Sequence, residues 1–348
     1  MASYRALLTL ILALLVAPGW VAPPPAAAQV PQVEVRTQLG WLRNGEFAPV
    51  MVAEAKGFFT EEGIRHRIMD GGPGKNPVPI VGAGQATFGI TAGGNNVFQA
   101  RLAKDPVDVV AVGTLLQKGP YSYITLGSSA DPDPKPKDLE GKVVGMQSDG
   151  EIFLKAFAKK HGLDLSKVKV EVVQANAEPL LVGRVDFFTG WVTNQPYLIE
   201  QEIAKPDAAA RLKGKTWKAM RYADYGITSY SDVIFATGKT IRENPDLVRR
   251  YVRALARGMQ YILDHPEETV QLVATFPDQV EKPDKLAWRW KIQNALFTSE
   301  DTKKNGLLWM NPKVWDEMMA FYKEYDQIPR VVPADEMMTN GFNPGIKR

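Results

Sequence analysis

Two rounds of strand-then-helix patterning constrain this chain more than any other feature. In the first, "QVEVRTQLGW" alternates like a strand. "FAPVMVAEAKGFFTEEG" then places apolar residues at helical spacing, with breaks at Gly57 and Gly63. The strand-like "IRHRIMD" follows, then the loop "GGPGKNP", the short helix "PVPIVGAGQ", the strand "ATFGITA", the helix "NNVFQARLAKD" and the strand "VDVVAVGTLL". A polar, Pro-rich stretch, "SSADPDPKPKDLEG", interrupts the alternation and reads as a loop at a lobe boundary. The second round runs through "KVVGMQ", "EIFLKAFAKKHG", "VKVEVVQ", "AEPLLVGR", "VDFFTGWV" and "NQPYLIEQEIAK". "DVIFATGKT" reads as one more strand, and the remainder is almost wholly helical. Such alternation predicts an α/β protein of two lobes, each a mainly parallel sheet flanked by helices.

The N-terminus sets the compartment. "MASYRALLTLILALLVAPGWVAPPPAAAQ" has an early Arg5, an apolar run from Ala6 to Ala17 and small residues ending at Ala28. This is the layout of a signal peptide over residues 1–28, with cleavage expected near Ala28–Gln29. The apolar run is short for a bilayer span. The chain has no Cys, which removes disulfides, Cys-ligated metals, a Cys nucleophile and a lipoprotein anchor. A soluble protein of the Gram-negative periplasm is therefore expected. The formal charge of +3 over 348 residues gives no basis for nucleic-acid binding.

Local chemical motifs fail on inspection. In "GAGQATFG" the third glycine of a dinucleotide fingerprint would fall at Thr87, and the stretch precedes a strand instead of opening a helix. In "ATGKT" the first glycine of a phosphate loop would fall at Val233. His66, His161 and His265 are scattered, so neither a metal site nor a cofactor is expected.

What remains is a set of loops that follow strands and combine flexible backbone with amides and aromatics. They are "GWLRNGEF" (40–47), "GGPGKNP" (71–77), "AGGNNVF" (92–98), "QKGPYSY" (117–123), "QSDGE" (147–151), "GWVTNQPY" (190–197) and "YADYGITSY" (222–230). In open α/β sheets ligands bind beyond the carboxyl ends of strands. Amides there offer donors and acceptors, and rings offer flat apolar faces. The loops thus describe a site for a small, polar, aromatic solute. Each residue also has a plainer reading. Trp41 and Trp191 suit a core or rim, and Asn95, Asn96 and Asn194 suit helix caps. Gly71, Gly72 and Gly74 suit a turn, Glu46 a solvated loop charge, and Ser148 with Asp149 a helix cap.

Four stretches carry a family resemblance: "GWLRNGEFAPVMVAEAKGFFTEEGI", "VGAGQATFGITAGG", "SDVIFATGKTIRENPDLVRRYVRALARGMQYILDHPEET" and "PADEMMTNGF". Through them the chain resembles the periplasmic substrate-binding proteins of ABC importers, in the group handling thiamine-pyrimidine precursors, nitrate, taurine and alkanesulfonates. The resemblance implies a type II periplasmic binding protein fold of two lobes with two hinge crossings, near 117–126 and 225–236. It places the first part of lobe one at 29–120 and lobe two at 121–230. The return of lobe one, with the C-terminal helices, falls at 231–348. Implied partners are a small-molecule ligand, a permease and its ATPase, with the binding protein itself a monomer. Implied ligand contacts are Trp41, Asn44, Glu46, Phe47, Gly72, Asn95 and Asn96 from one side, and Gln147, Ser148, Trp191, Asn194 and Tyr225 from the other.

A heteroaromatic such as a pyrimidine or flavin-like ring fits the aromatic content. Pyrimidine binders in the group offer an acid near "VTNQP". Here Asn194 and Gln195 stand there, which leaves Glu46 as the carboxylate on offer. A small anion would instead use Lys75 and the Gly93–Asn96 turn. The resemblance extends to a pyrimidine-synthase family whose iron chemistry uses a His and a Cys-rich segment. The absence of Cys argues against an enzyme.

Overall fold

Ten strands build two five-stranded sheets in a computed structural model that describes residues 32–148 and 150–347. The signal-peptide reading of 1–28 lies outside the described residues. In chain order the strands are β1 (Val33–Leu39), β2 (Ile64–Met69), β3 (Phe88–Thr91), β4 (Val109–Leu116) and β5 (Tyr121–Gly127). They continue as β6 (Val143–Met146), β7 (Lys169–Val172), β8 (Phe187–Trp191), β9 (Thr216–Arg221) and β10 (Ser231–Thr237). The first sheet has the order β2-β1-β3-β10-β4 and the second β7-β6-β8-β5-β9. Within each, neighbours run parallel except around one reversed strand: β10 in the first and β5 in the second.

Those reversed strands are where the chain changes lobes. It leaves the first sheet after Leu116 and enters the second at Tyr121. It leaves again after Arg221 and returns at Ser231. The connections are therefore shorter than the hinges expected at 117–126 and 225–236, because Tyr121–Gly127 is a central strand and Ser231–Thr237 another. The two connections touch where Gly119 N donates to Ser229 O at 2.9 Å. The Pro-rich stretch lies between β5 and β6, inside the second lobe and not at its boundary.

Helices cover the sheets as the periodicity demands. Ala48–Ala55 packs on Pro245–Asp264 so closely that a Cβ on Gly258 would lie 2.3 Å from Pro49 O. The left-handed backbone of Gly57 (φ 75°) ends the first of these helices and starts the next turn. The tail pairs with the outer edge of the first sheet, Ala111 N to Met337 O and Thr339 N to Ala111 O, and so masks an open strand edge.

Two C-terminal helices reach across to the second lobe. From Pro312–Glu324, Phe321 stacks on Phe153 at 5.5 Å and Glu324 pairs with Lys159 at 2.6 Å. From Pro283–Leu296, Asp284 accepts from the Tyr197 hydroxyl at 2.6 Å, and Lys285 donates to Asn194 Oδ1 at 2.9 Å. Among the described residues no helix is long and apolar enough to cross a membrane.

Candidate functional site

The parallel strands of both sheets end at a shared cavity of about 230 Å³. Beyond β3, Ala92 and Gly93 line it, followed by Asn95 and Asn96 at the start of the helix Asn95–Arg101. Beyond β6, Gln147 lines it, followed by Gly150 and then Phe153 on the helix Glu151–His161. β8 adds Thr189, and the second crossing adds Tyr222 and residues 227–231. Tyr121 from the start of β5, and Met318, Phe321 and Tyr322 from the C-terminal helix, complete the lining.

One wall is aromatic. Tyr121 lies nearly parallel to Phe153 (6.3 Å, 14°) and to Tyr222 (6.2 Å, 17°), and Phe153 continues the series onto Phe321. The polar lining is held in place by its own bonds. Thr189 Oγ1 donates to Gln147 Oε1 at 3.1 Å, and Asn95 Nδ2 donates to Gln99 Oε1 at 3.1 Å. Asn96 N bonds Gly93 O in a tight turn, where a Cβ on Gly93 would strike Asn95 Oδ1 at 2.3 Å. Burial pushes the Tyr230 phenol up to about 12, so it is neutral at physiological pH. Among the described lining residues none carries a charged side chain.

Asn95, Asn96 and Gln147 thus stand on the cavity; the other nine sequence candidates do not. The loop after β1 is built as a support instead. Arg43 is buried and bonds Asp70 (2.8 and 3.2 Å) and Pro277 O (2.8 Å), pinning the loop to β2 and to the C-terminal half. Asn44 Oδ1 caps the following turn by accepting from Glu46 N at 2.8 Å. Phe47 is 1% exposed and sits in the core, while Trp41, 38% exposed, lies off the cavity. Gly72 supplies a positive-φ turn (152°).

On the other side, Trp191 stands one layer back, edge-on to Tyr121 at 5.3 Å. Ser148 opens onto a separate surface hollow with Glu151 and Lys155. Asn194 meets Lys285, and Tyr225 faces away, donating to Pro134 O and packing on Phe157. Lys75, the anion candidate, is exposed beside Asp70 O.

Glu46 is no solvated charge. It is 7% exposed and within hydrogen-bond reach of Asp232, which is fully buried. Burial raises both carboxyls, Asp232 far more, and the Glu46 charge adds to the effect on Asp232. Sequence reasoning missed Asp232, as well as Tyr121, Phe153, Tyr222 and Phe321. The loops "QKGPYSY" and "YADYGITSY" were the usable signal for two of these rings. Nothing in a helical stripe such as Met318–Phe321–Tyr322 distinguishes a cleft wall from core.

A family model described as NMT1/THI5 like matches residues 44–269. The chain belongs to the NMT1/THI5-like family. The match spans the lining beyond β3, β6 and β8 and the second crossing. Curated relatives include the riboflavin-binding protein RibY of Chloroflexus aurantiacus, 26% identical over 94% of this chain and 92% of that one. They also include the 4-amino-5-hydroxymethyl-2-methylpyrimidine phosphate synthase of Legionella pneumophila, 26% identical over 88% of this chain and 91% of that one. A binder and a synthase thus both occur among the relatives. Among solved structures, the periplasmic aliphatic sulphonate-binding protein SsuA of Escherichia coli superposes with a TM-score of 0.65 at 16% identity. That likeness covers 88% of this chain and 92% of SsuA, and it establishes a shared two-lobed fold.

Proposed function

We propose that this protein captures an uncharged, flat heteroaromatic solute between its lobes and hands it to the permease of an ABC importer. The observation that carries the reading is the cavity lining: stacked rings and neutral amides and hydroxyls, with no charged side chain among the described lining residues. A ring placed against such faces gains apolar burial plus about 0.5–1.5 kcal/mol per aromatic pair, and the amides select its edge atoms. The volume of about 230 Å³ sits below the range of roughly 300–1,000 Å³ usual for drug-sized ligands, which favours one or two rings. A pyrimidine precursor is the leading class, and the names of the relatives, with pyrimidine and flavin chemistry, support it.

The anion alternative has less support. Lys75 stands outside the cavity, and a sulfonate in this lining would meet no cation among the described residues. Binding without chemistry is favoured because the three His residues are all engaged elsewhere. His66 is held by Glu54 and Thr37, His161 by Tyr225 O, and His265 packs on Tyr261. The chain also lacks Cys. The place of action is the periplasm, after loss of residues 1–28.

Mass spectrometry of solute released from protein purified without refolding tests the reading. An aminopyrimidine mass supports it; a flavin-like mass keeps the heteroaromatic class and overturns the one- or two-ring size. A sulfonate or other small anion overturns the aromatic assignment, and turnover of the released solute overturns the non-enzymatic one.

A further inference from the structure

Three carboxyls and two cations are packed behind the cleft, outside its lining. Ser231 lines the cavity, and the next residue, Asp232, is fully buried with left-handed backbone (φ 55°). Among the described residues, no amide, hydroxyl or guanidinium hydrogen reaches either Asp232 oxygen; only Glu46 stands within reach. Arg289, also fully buried, faces the pair but bonds Glu281, through Nε at 3.0 Å and through Nη2. Glu281 further accepts from Gly45 N at 3.0 Å and from Lys285 at 2.8 Å. Lys285 also holds Asn194 of the second lobe at 2.9 Å. A chain of contacts therefore runs from the crossing strand β10, through the loop after β1, to the opposite lobe.

The charge count decides how this cluster is occupied. Asp232, Glu46 and Glu281 bring three negative charges, and Arg289 and Lys285 two positive ones. One added proton makes it neutral. Two carboxylates in contact and shielded from water do not both ionise, and without a proton neither can donate to the other. We propose that Glu46 and Asp232 share one proton, and that this proton leaves Arg289 and Lys285 committed to Glu281, making closure onto Asn194 proton-dependent.

The remaining groups around the pair agree with this. The Asn44 amide faces Glu46 from its own loop, and Arg289 and Glu281 face it from the C-terminal half. Arg43 is engaged by Asp70 and Asp278. Loss of the proton leaves the cluster with one uncompensated negative charge, on the pair that faces Arg289. The guanidinium turns from Glu281 to the pair, Lys285 is left as the sole cation on Glu281, and the stronger pull of that carboxylate draws it off the neutral Asn194 Oδ1. Because the folded pair keeps a proton that the unfolded chain has lost, stability falls as pH rises from the ordinary carboxylate range to the raised one. A salt-bridged carboxylate gives the opposite slope.

Infrared spectra of the full protein without added ligand test the proposal, from about pH 5 to about pH 8, above the ordinary carboxylate range. A protonated-carboxyl C=O band that persists there in the wild type, and that Asp232→Asn and Glu46→Gln each remove, is the expected result. Asn tolerates the left-handed backbone that Asp232 occupies. The melting temperature should fall with rising pH while the band persists and level off as the band is lost at higher pH, where the radius of gyration should grow; in Asp232→Asn both should be flat with pH. Absence of the band from the wild type, which needs no variant to fold, overturns the shared proton. A band that survives both substitutions does the same. A radius of gyration that stays constant while the band disappears overturns the link to closure. No readout uses the solute, so failure here is separate from failure of the ligand assignment.

Discussion

The cleft and the cluster behind it are separated by one peptide bond, between Ser231 and Asp232, yet they are opposites. The cleft is neutral, aromatic and open to a solute. The cluster is ionic, and all of it but Lys285 is buried. Charge in this protein is used to fix backbone: Glu281 holds Gly45 N, and Arg289 lies against Gly45, where a Cβ would meet its Cδ at 2.8 Å. Gln293 closes the arrangement by donating to Gly45 O at 2.9 Å. Recognition is left to faces and neutral edges. A buried ion pair adds little net stability over an apolar replacement of the pair, but removing one partner is costly. The cluster is therefore a device for geometry, and its effects should appear in stability before they appear in affinity.

The largest break in that division comes from Arg289→Met. It strands Glu281 and the Glu46–Asp232 pair without their shared cation, and should cost about 3–5 kcal/mol in urea unfolding. A loss below about 1 kcal/mol would mean that the loop after β1 is held by packing alone. Next is Tyr121→Ala, which removes the ring central to the aromatic wall. Affinity for the bound heteroaromatic, measured by calorimetry, should fall by about 2 kcal/mol, roughly thirtyfold. Unchanged affinity would take the wall out of the site. Gln147→Ala comes third. One neutral hydrogen bond is worth about 0.5–1.5 kcal/mol, so affinity should fall by roughly two- to thirteenfold. A larger effect on an anionic solute than on a neutral one would reverse the assignment.

How far the sequence could be read follows the same division. The parallel strands were legible because buried runs such as "VVAVGTLL" are bounded by polar turns. β5 and β9 were not. "YSYITLG" follows a Gly-Pro and resembles a hinge, and the edge strand "TWKAMR" carries charges on an open flank. On the cavity, Asn95 and Asn96 were legible because they begin a helix just beyond β3, and Gln147 because it directly follows β6, positions that depend on local order. Tyr222 and Phe321 meet Phe153 only through tertiary packing, across 69 and 168 residues of chain as the numbering gives it. Glu46 was misread for the same reason, since its burial depends on Asp232 and Arg289, far along the sequence.

The smallest expected effect is also the sharpest test of that lesson. Read from sequence, Trp41 is a ligand clamp, and its loss should cost at least tenfold in affinity. In the fold the residue is 38% exposed and off the cavity, while its carbonyl is what the structure uses, accepting from Gly71 N at 3.0 Å. Trp41→Ala keeps that carbonyl, so affinity should stay within about twofold, a difference under about 0.5 kcal/mol. Lys75→Ala should be equally silent, because among the described residues its ammonium reaches Asp70 O alone, at 3.4 Å, from the exposed loop after β2. A tenfold loss from Trp41→Ala would mean that the loop after β1 swings into the cleft on binding, making the support a wall. A tenfold loss from Lys75→Ala would bring a cation to the solute and restore the anion reading.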